Sequence, residues 1–120
     1  MQMSDMNERI EICRELSKHI DIMQQSFNQN NLDVLDAVCR SSAPGLIVNV
    51  EVCAIEGASI PNDIKIKVDI YDSEGLVLDS GTSPFRKRRF DGYDTVKFIF
   101  YKDKLLLFSA ASVRISCVRW

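Results

Sequence analysis

Four successive cations, Arg86-Lys87-Arg88-Arg89, stand between Phe85 and Phe90, with Tyr93 close behind. Consecutive side chains of a strand point to opposite faces, so neither face of this run can be buried, and a loop or an exposed edge is predicted. Cations interleaved with rings suit single-stranded nucleic acid, because the charges track phosphates and the rings stack on bases. The same charges suit an acidic protein surface. Two structural readings stand beside these. Charged residues on an exposed edge block strand-to-strand aggregation, and the run could meet the acidic N-terminus, where Glu8, Glu11 and Glu15 need partners. The candidate contact surface is therefore Phe85, Arg86, Lys87, Arg88, Arg89, Phe90 and Tyr93, extended by Lys97, Arg114 and Arg119 if these project to the same side. The net charge of -2 weighs against nucleic acid.

Other chemistry finds fewer residues. Asp63, Asp69, Asp72, Glu74, Asp79, Asp91 and Asp94 could gather oxygens around calcium at one end of a fold, but no twelve-residue calcium loop is present. Asp-Gly turn formation explains most of them. Cys13, Cys39, Cys53 and Cys117 form no C-x-x-C pair, so zinc is not indicated and small buried hydrophobes are expected; a disulfide stays open if the compartment is oxidising. The one histidine, His19, has no near Cys or Asp partner. There is no G-x-S-x-G elbow and no phosphate loop, since Gly75, Gly81 and Gly92 are isolated turn glycines. No catalytic residue, cofactor or metal is predicted, and the chain is not expected to be an enzyme.

These residues must be positioned by a single domain, 1–120. At 120 residues the chain can bury roughly two thirds of its unfolded surface, and a hydrophobic content of 46% calls for a packed core. No apolar run approaches the ~20 residues of a membrane helix. The start of the chain carries Asp5, Glu8, Glu11 and Glu15 and lacks a signal peptide's basic and apolar regions, so a cytoplasmic protein without membrane contact is expected. Charge is divided along the chain: residues 1–83 hold 14 Asp/Glu against 6 Lys/Arg, and residues 84–120 hold 9 Lys/Arg against 3 Asp/Glu.

Ser4 or Asp5 is a suitable helix N-cap, and a helix is predicted from there to about Asn28. Met6, Cys13, Ile20 and Phe27 recur every seven residues, with Leu16 and Met23 three beyond Cys13 and Ile20. This stripe packs on the rest of the fold or forms a dimer seam. Leu32, Leu35, Val38 and Cys39 predict a second helix to about Arg40, completing an α-hairpin over 4–41. Ser41-Ser42-Ala43-Pro44-Gly45 then reads as the hand-over to β-structure.

From Leu46 the period becomes two. Leu46, Val48, Val50 and Val52 predict a first strand. Ile64, Ile66, Val68 and Ile70 alternate with Lys65, Lys67 and Asp69, as a strand with one buried face requires. Asp72-Ser73-Glu74-Gly75 is a turn, with Leu76-Val77-Leu78 returning from it. Gly81 to Gly92 is an irregular connection. Thr95 to Tyr101 reads as a central strand, Lys102-Asp103-Lys104 as a turn, Leu105 to Phe108 as a pairing strand, and Val113, Ile115 and Cys117 as the last strand.

The hairpin pattern Val68-Asp69-Ile70-Tyr71-Asp72-Ser73-Glu74-Gly75-Leu76-Val77-Leu78-Asp79 resembles the strand-turn-strand signature of FxLYD-type immunoglobulin-like modules of bacteria and archaea, over residues 47–100. The resemblance implies a binding or spacing module without catalytic residues. It departs from those modules in its α-hairpin, in Phe90-Asp91-Gly92-Tyr93 where a Pro-Gly turn is usual, and in the absence of an export signal. The expected architecture is α+β: an N-terminal α-hairpin, then an antiparallel immunoglobulin-like β-sandwich of six to seven strands over 45–120. The expected function is a non-catalytic protein-interaction module, self-associating through Met6, Cys13, Leu16, Ile20, Met23 and Phe27. The alternative is nucleic-acid binding through segment 85–93.

Overall fold

The computed structural model describes residues 3–42, 45–100 and 104–120, and the side chains of these except 3–6, 42 and 104–106. The elements in order are α1 (Met3–Ser17), β1 (Ile20–Ile22), α2 (Gln24–Asn28), β2 (Leu32–Ser42), β3 (Gly45–Ala54), β4 (Ile64–Tyr71), β5 (Val77–Phe85), β6 (Tyr93–Phe100), α3 (Lys104–Ser109) and β7 (Ser112–Arg119). The strands form a four-stranded sheet, β1-β7-β4-β5, and a three-stranded sheet, β2-β3-β6. All pairings are antiparallel except β1 on β7.

The interior lies between the sheets. Ile64, Ile66, Val68 and Ile70 of β4 are all fully buried, facing Leu46, Val48, Val50 and Val52 of β3. Each such side chain stabilises the fold by about 1.5–3 kcal/mol relative to exposure. Val113, Ile115 and Cys117 complete one layer, Phe98 and Phe100 the other. Gly81 lets β5 approach β6: a Cβ there would stand 3.3 Å from the Phe98 ring. Among the described residues no helix is long and apolar enough to cross a bilayer.

The N-terminal third departs from the predicted α-hairpin. The first helix stops at Ser17, whose hydroxyl bonds back to the Cys13 carbonyl at 2.8 Å and also takes the Cys39 N–H at 3.0 Å. A hydroxyl turned back onto the preceding helical turn and shared with a strand suits a helix end. Ile20-Asp21-Ile22 then pairs parallel with Val113-Arg114-Ile115, and α2 is a single turn that buries Phe27. The second predicted helix is strand β2. A bulge between Val34 and Asp36 inserts one residue, so the inward set is Leu32, Val34, Ala37 and Cys39. That spacing mixes the strand period with the helical one.

The expected hand-over from helix to strand instead holds the end of β2 and the start of β3, with Ser42 opposite Gly45, and Ala43-Pro44 lies outside the described residues. β5 continues to Phe85 through what reads as an irregular connection. β6 is an edge strand, not a central one. Leu105 to Phe108 falls in α3, a helix, while Tyr101, Lys102 and Asp103 lie outside the described residues. Residues 32–42 thus belong to the sandwich.

Candidate basic interaction site

The basic run lies at one end of the sandwich, on the connection from β5 to β6. Arg86 to Phe90 make one tight turn: the Arg86 carbonyl accepts N–H bonds from Arg89 at 3.0 Å and Phe90 at 3.1 Å. Phe85 is buried and Phe90 half-buried, with ring centroids 5.6 Å apart. The two rings therefore anchor the turn. Arg86, Lys87, Arg88 and Arg89 are all exposed, as is Tyr93.

Asp63, the residue before β4, fastens this turn. Its Oδ1 accepts the Lys87 N–H at 2.8 Å, and its backbone carbonyl accepts the Trp120 N–H at 3.4 Å. Trp120 is half exposed, with the Arg86 guanidinium 4.2 Å and the Lys65 ammonium 5.5 Å from its ring centroid. Such cation–π pairs contribute about 0.5–1 kcal/mol at exposed sites. Here they also fix where the cations stand. Ser59, Asp63, Arg86, Lys87 and Arg88 line an open depression of about 560 Å³.

Asn31 holds the loop that carries Ser59. Its Nδ2 donates to the carbonyls of Glu56 at 2.8 Å and Ser59 at 2.7 Å, and its Oδ1 accepts the Glu56 N–H at 3.1 Å. Its φ of 60° lies in the left-handed region that asparagine tolerates better than most residues. Gly92, at φ 110°, packs on Ala58 from the other side, where a Cβ would meet Ala58 at 3.2 Å.

Among the described residues, no ion pair joins the acidic helix to the basic turn. Glu11 pairs with Arg14, and Glu15 with Lys18 at 3.0 Å, inside α1 and its following turn. The Lys18 ammonium holds the Glu15 carboxyl below its usual range. Arg114 turns away to Asp21 at 3.5 Å and to the Tyr71 ring, and Lys97 lies on β6, away from the turn. Arg119 is in register with Ile64, itself opposite Phe85, and so shares the basic end.

The heptad stripe does not form one outward face. Cys13, Leu16 and Phe27 are buried in the core. Ile20 sits half-buried in β1, and Met23 is exposed between β1 and α2. The side chain of Met6 lies outside the described residues. Because the chain leaves the helix at Ser17, the seven-residue period does not continue on one helical surface.

Asp63, Asp72, Asp79 and Asp94 hold backbone N–H groups. Asp72 Oδ1 accepts from Glu74 and Leu76 at 2.9 Å each, closing the β4–β5 turn. Asp69 is buried, accepting from the Ser80 hydroxyl at 2.5 Å. Among the described residues no three His, Cys, Asp or Glu side chains gather as a metal cluster would require. The cysteines are free thiols. Burial pushes Cys39 up to about 12, with the nearby Cys13 adding to it, and burial pushes Cys13 and Cys117 up to about 11. Thiols held protonated in this way are poor nucleophiles near neutral pH.

Sequence reading finds the basic turn but misses Trp120, Lys65, Asp63 and Asn31. The local signal is a tryptophan directly after an alternating strand.

No protein-family model matches the chain, and no curated protein matches it in sequence. A DUF1425 family member from Shewanella is similar in structure at TM-score 0.49 and 13% identity, covering 76% of this chain and 80% of that one. Campylobacter jejuni cj0090 is similar at TM-score 0.46 and 16% identity, covering 82% and 95%. The uncharacterized lipoprotein yajI from Escherichia coli is similar at TM-score 0.40 and 8% identity, covering 73% and 55%.

Proposed function

We propose that this chain is a non-catalytic protein-interaction module that takes an acidic segment of a partner protein at its basic end. The observation that carries the reading is the fastening of Arg86–Arg89. Asp63 holds the turn by its backbone, Phe85 and Phe90 root it, and Trp120 seats Arg86. Four exposed cations on a turn fixed in place lose less freedom on binding than four on a floppy loop. The aromatic rings favour a protein partner over a nucleic acid. Phe85 is buried, Phe90 packs against the core and cations already approach the Trp120 ring, which leaves the exposed Tyr93 as the ring still open to stack a base.

We read the sandwich as immunoglobulin-like. β2, β3 and β6 stand in the order of strands A, B and E, and β4 and β7 in that of C and F. β1, running parallel to β7, takes the place of strand G.

The test is fluorescence anisotropy of a labelled Asp/Glu-rich peptide and a labelled single-stranded oligonucleotide, each over a salt series. Binding of the peptide that weakens with salt, and that Arg88→Glu with Arg89→Glu abolishes, is the expected result. Tighter binding of the oligonucleotide with a steep salt slope replaces this reading with the nucleic-acid one. No binding of either at low salt ends both.

A further inference from the structure

Among the described residues, five strand N–H groups are taken by side-chain oxygens instead of by a neighbouring strand. Asp36 holds Ala37 at 3.0 Å, Ser17 holds Cys39 at 3.0 Å, Asp79 holds Ser80 at 2.9 Å, Asp94 holds Thr95 at 2.8 Å, and Ser26 holds Cys117 at 3.0 Å. Ala37, Cys39, Ser80 and Thr95 lie on the outermost strands β2, β5 and β6, and Cys117 lies on β7 beyond the point where β1 stops. An uncovered edge is a template for another strand, and here side chains cover its donors.

The edges are not equally protected. α1 packs along β2, β1 and α2 shield β7, and β5 carries Pro84, which has no N–H. β6 has Asp94 and, mid-strand, Lys97. Its outward groups can be assigned. The Gly92 carbonyl accepts from Ala54, so even-numbered residues of β6 bond to β3 and odd-numbered ones present N–H and C=O at the free edge. Those are Tyr93, Thr95, Lys97 and Ile99, and their side chains are all exposed, Tyr93 by 52% and Ile99 by 39%.

This row is self-complementary. Two copies of β6 laid antiparallel about Val96 place Tyr93 opposite Ile99 and Thr95 opposite Lys97. All four outward positions become hydrogen-bonded pairs, and exposed apolar meets exposed apolar. In that register the Thr95 N–H would go to the Lys97 carbonyl of the second copy, the same N–H that Asp94 now holds. We infer that the β6 edge is a strand-pairing surface for a second copy of this chain, kept closed by the Asp94 carboxylate on the Thr95 N–H.

Sedimentation velocity of the full chain over a concentration series tests it, with Asp94→Asn, Asp94→Ala, and Asp94→Ala combined with Thr95→Pro. Asparagine keeps an acceptor while losing the charge, so it and the unmodified chain should stay monomeric. Alanine should dimerise roughly tenfold more tightly or better, since a symmetric pair frees two donors. Adding Thr95→Pro removes the donor and should restore the monomer. Circular dichroism confirms that each variant folds, and amide exchange at Lys97 and Ile99 should slow with concentration in Asp94→Ala alone. An alanine variant that sediments like the unmodified chain overturns the inference. So does an asparagine variant that dimerises equally, or a dimer that leaves those amides unprotected.

Discussion

β4 and β2 both bury one face against the same interior, yet they are held differently. β4 lies between β7 and β5, bonded on both sides along eight residues. β2 is longer, at eleven residues, but bonds to β3 alone. Its free side is closed piecemeal by the Ser17 hydroxyl, the Asp36 carboxylate and α1. The central strand is fixed by backbone and burial together. The edge strand depends on side chains, one its own and one 22 positions away, and a bulge can survive in it because only one neighbour must follow.

That contrast can be broken most forcefully in the interior. Ile66→Ala, at the middle of β4, should lower unfolding free energy by about 2–5 kcal/mol. Val34→Ala, beside the bulge of β2, should lower it by only about 1–2 kcal/mol for its two lost methyl groups. Urea unfolding measures both, and equal losses would remove the distinction between the strands.

A pH dependence sharpens it next. The thiols of Cys39, Cys13 and Cys117 are raised from the ordinary 9.0 to about 12, 11 and 11. The native state keeps these protons while the unfolded chain releases them. Their stabilisation is thus complete below pH 9 and is lost as pH climbs from there towards 11–12. Urea midpoints between pH 8 and 10.5 should fall, and fall less in Cys39→Ala, whose change removes the most strongly shifted thiol from β2. Parallel pH profiles for the two proteins would refute this.

At the start of each strand a polar residue holds the basic end. Asn31→Ala, just before β2, loses three side-chain hydrogen bonds and places alanine at φ 60°. It should cost about 1–3 kcal/mol, with faster amide exchange at Ile55 and Glu56. Asp63→Ala, just before β4, should change stability least, by under about 1 kcal/mol, because its bond to Lys87 is exposed. It should nonetheless weaken acidic-peptide binding several-fold by loosening the turn. Unchanged affinity would show that the turn needs no fastening.

How far these features can be read from the chain follows the same contrast. Ile64, Ile66, Val68 and Ile70 announce β4 because an uninterrupted period of two has no helical imitation. Leu32, Leu35, Val38 and Cys39 suggest a helix because the bulge shifts half of β2 by one residue, and Leu35, the residue it inserts, is exposed. Ile20-Asp21-Ile22 is too short to break the seven-residue pattern running through it. At the basic end, exposure of Arg86–Arg89 follows from four charges in a row. The fastening does not, because Lys87 and Asp63 are 24 positions apart.

The amino-acid order by itself determined which side chains enter the interior of β3, β4 and β7 and that the basic run stays in water. Both follow from alternation and solvation, which act between near neighbours. Only the folded chain decided that residues 32–42 extend a sheet, that β1 lies against β7, and that Trp120 comes to rest under Arg86. Those outcomes depend on partners far along the chain, such as Ser26 and Cys117, 91 positions apart. The bonds between them form only once the core has brought the strands together.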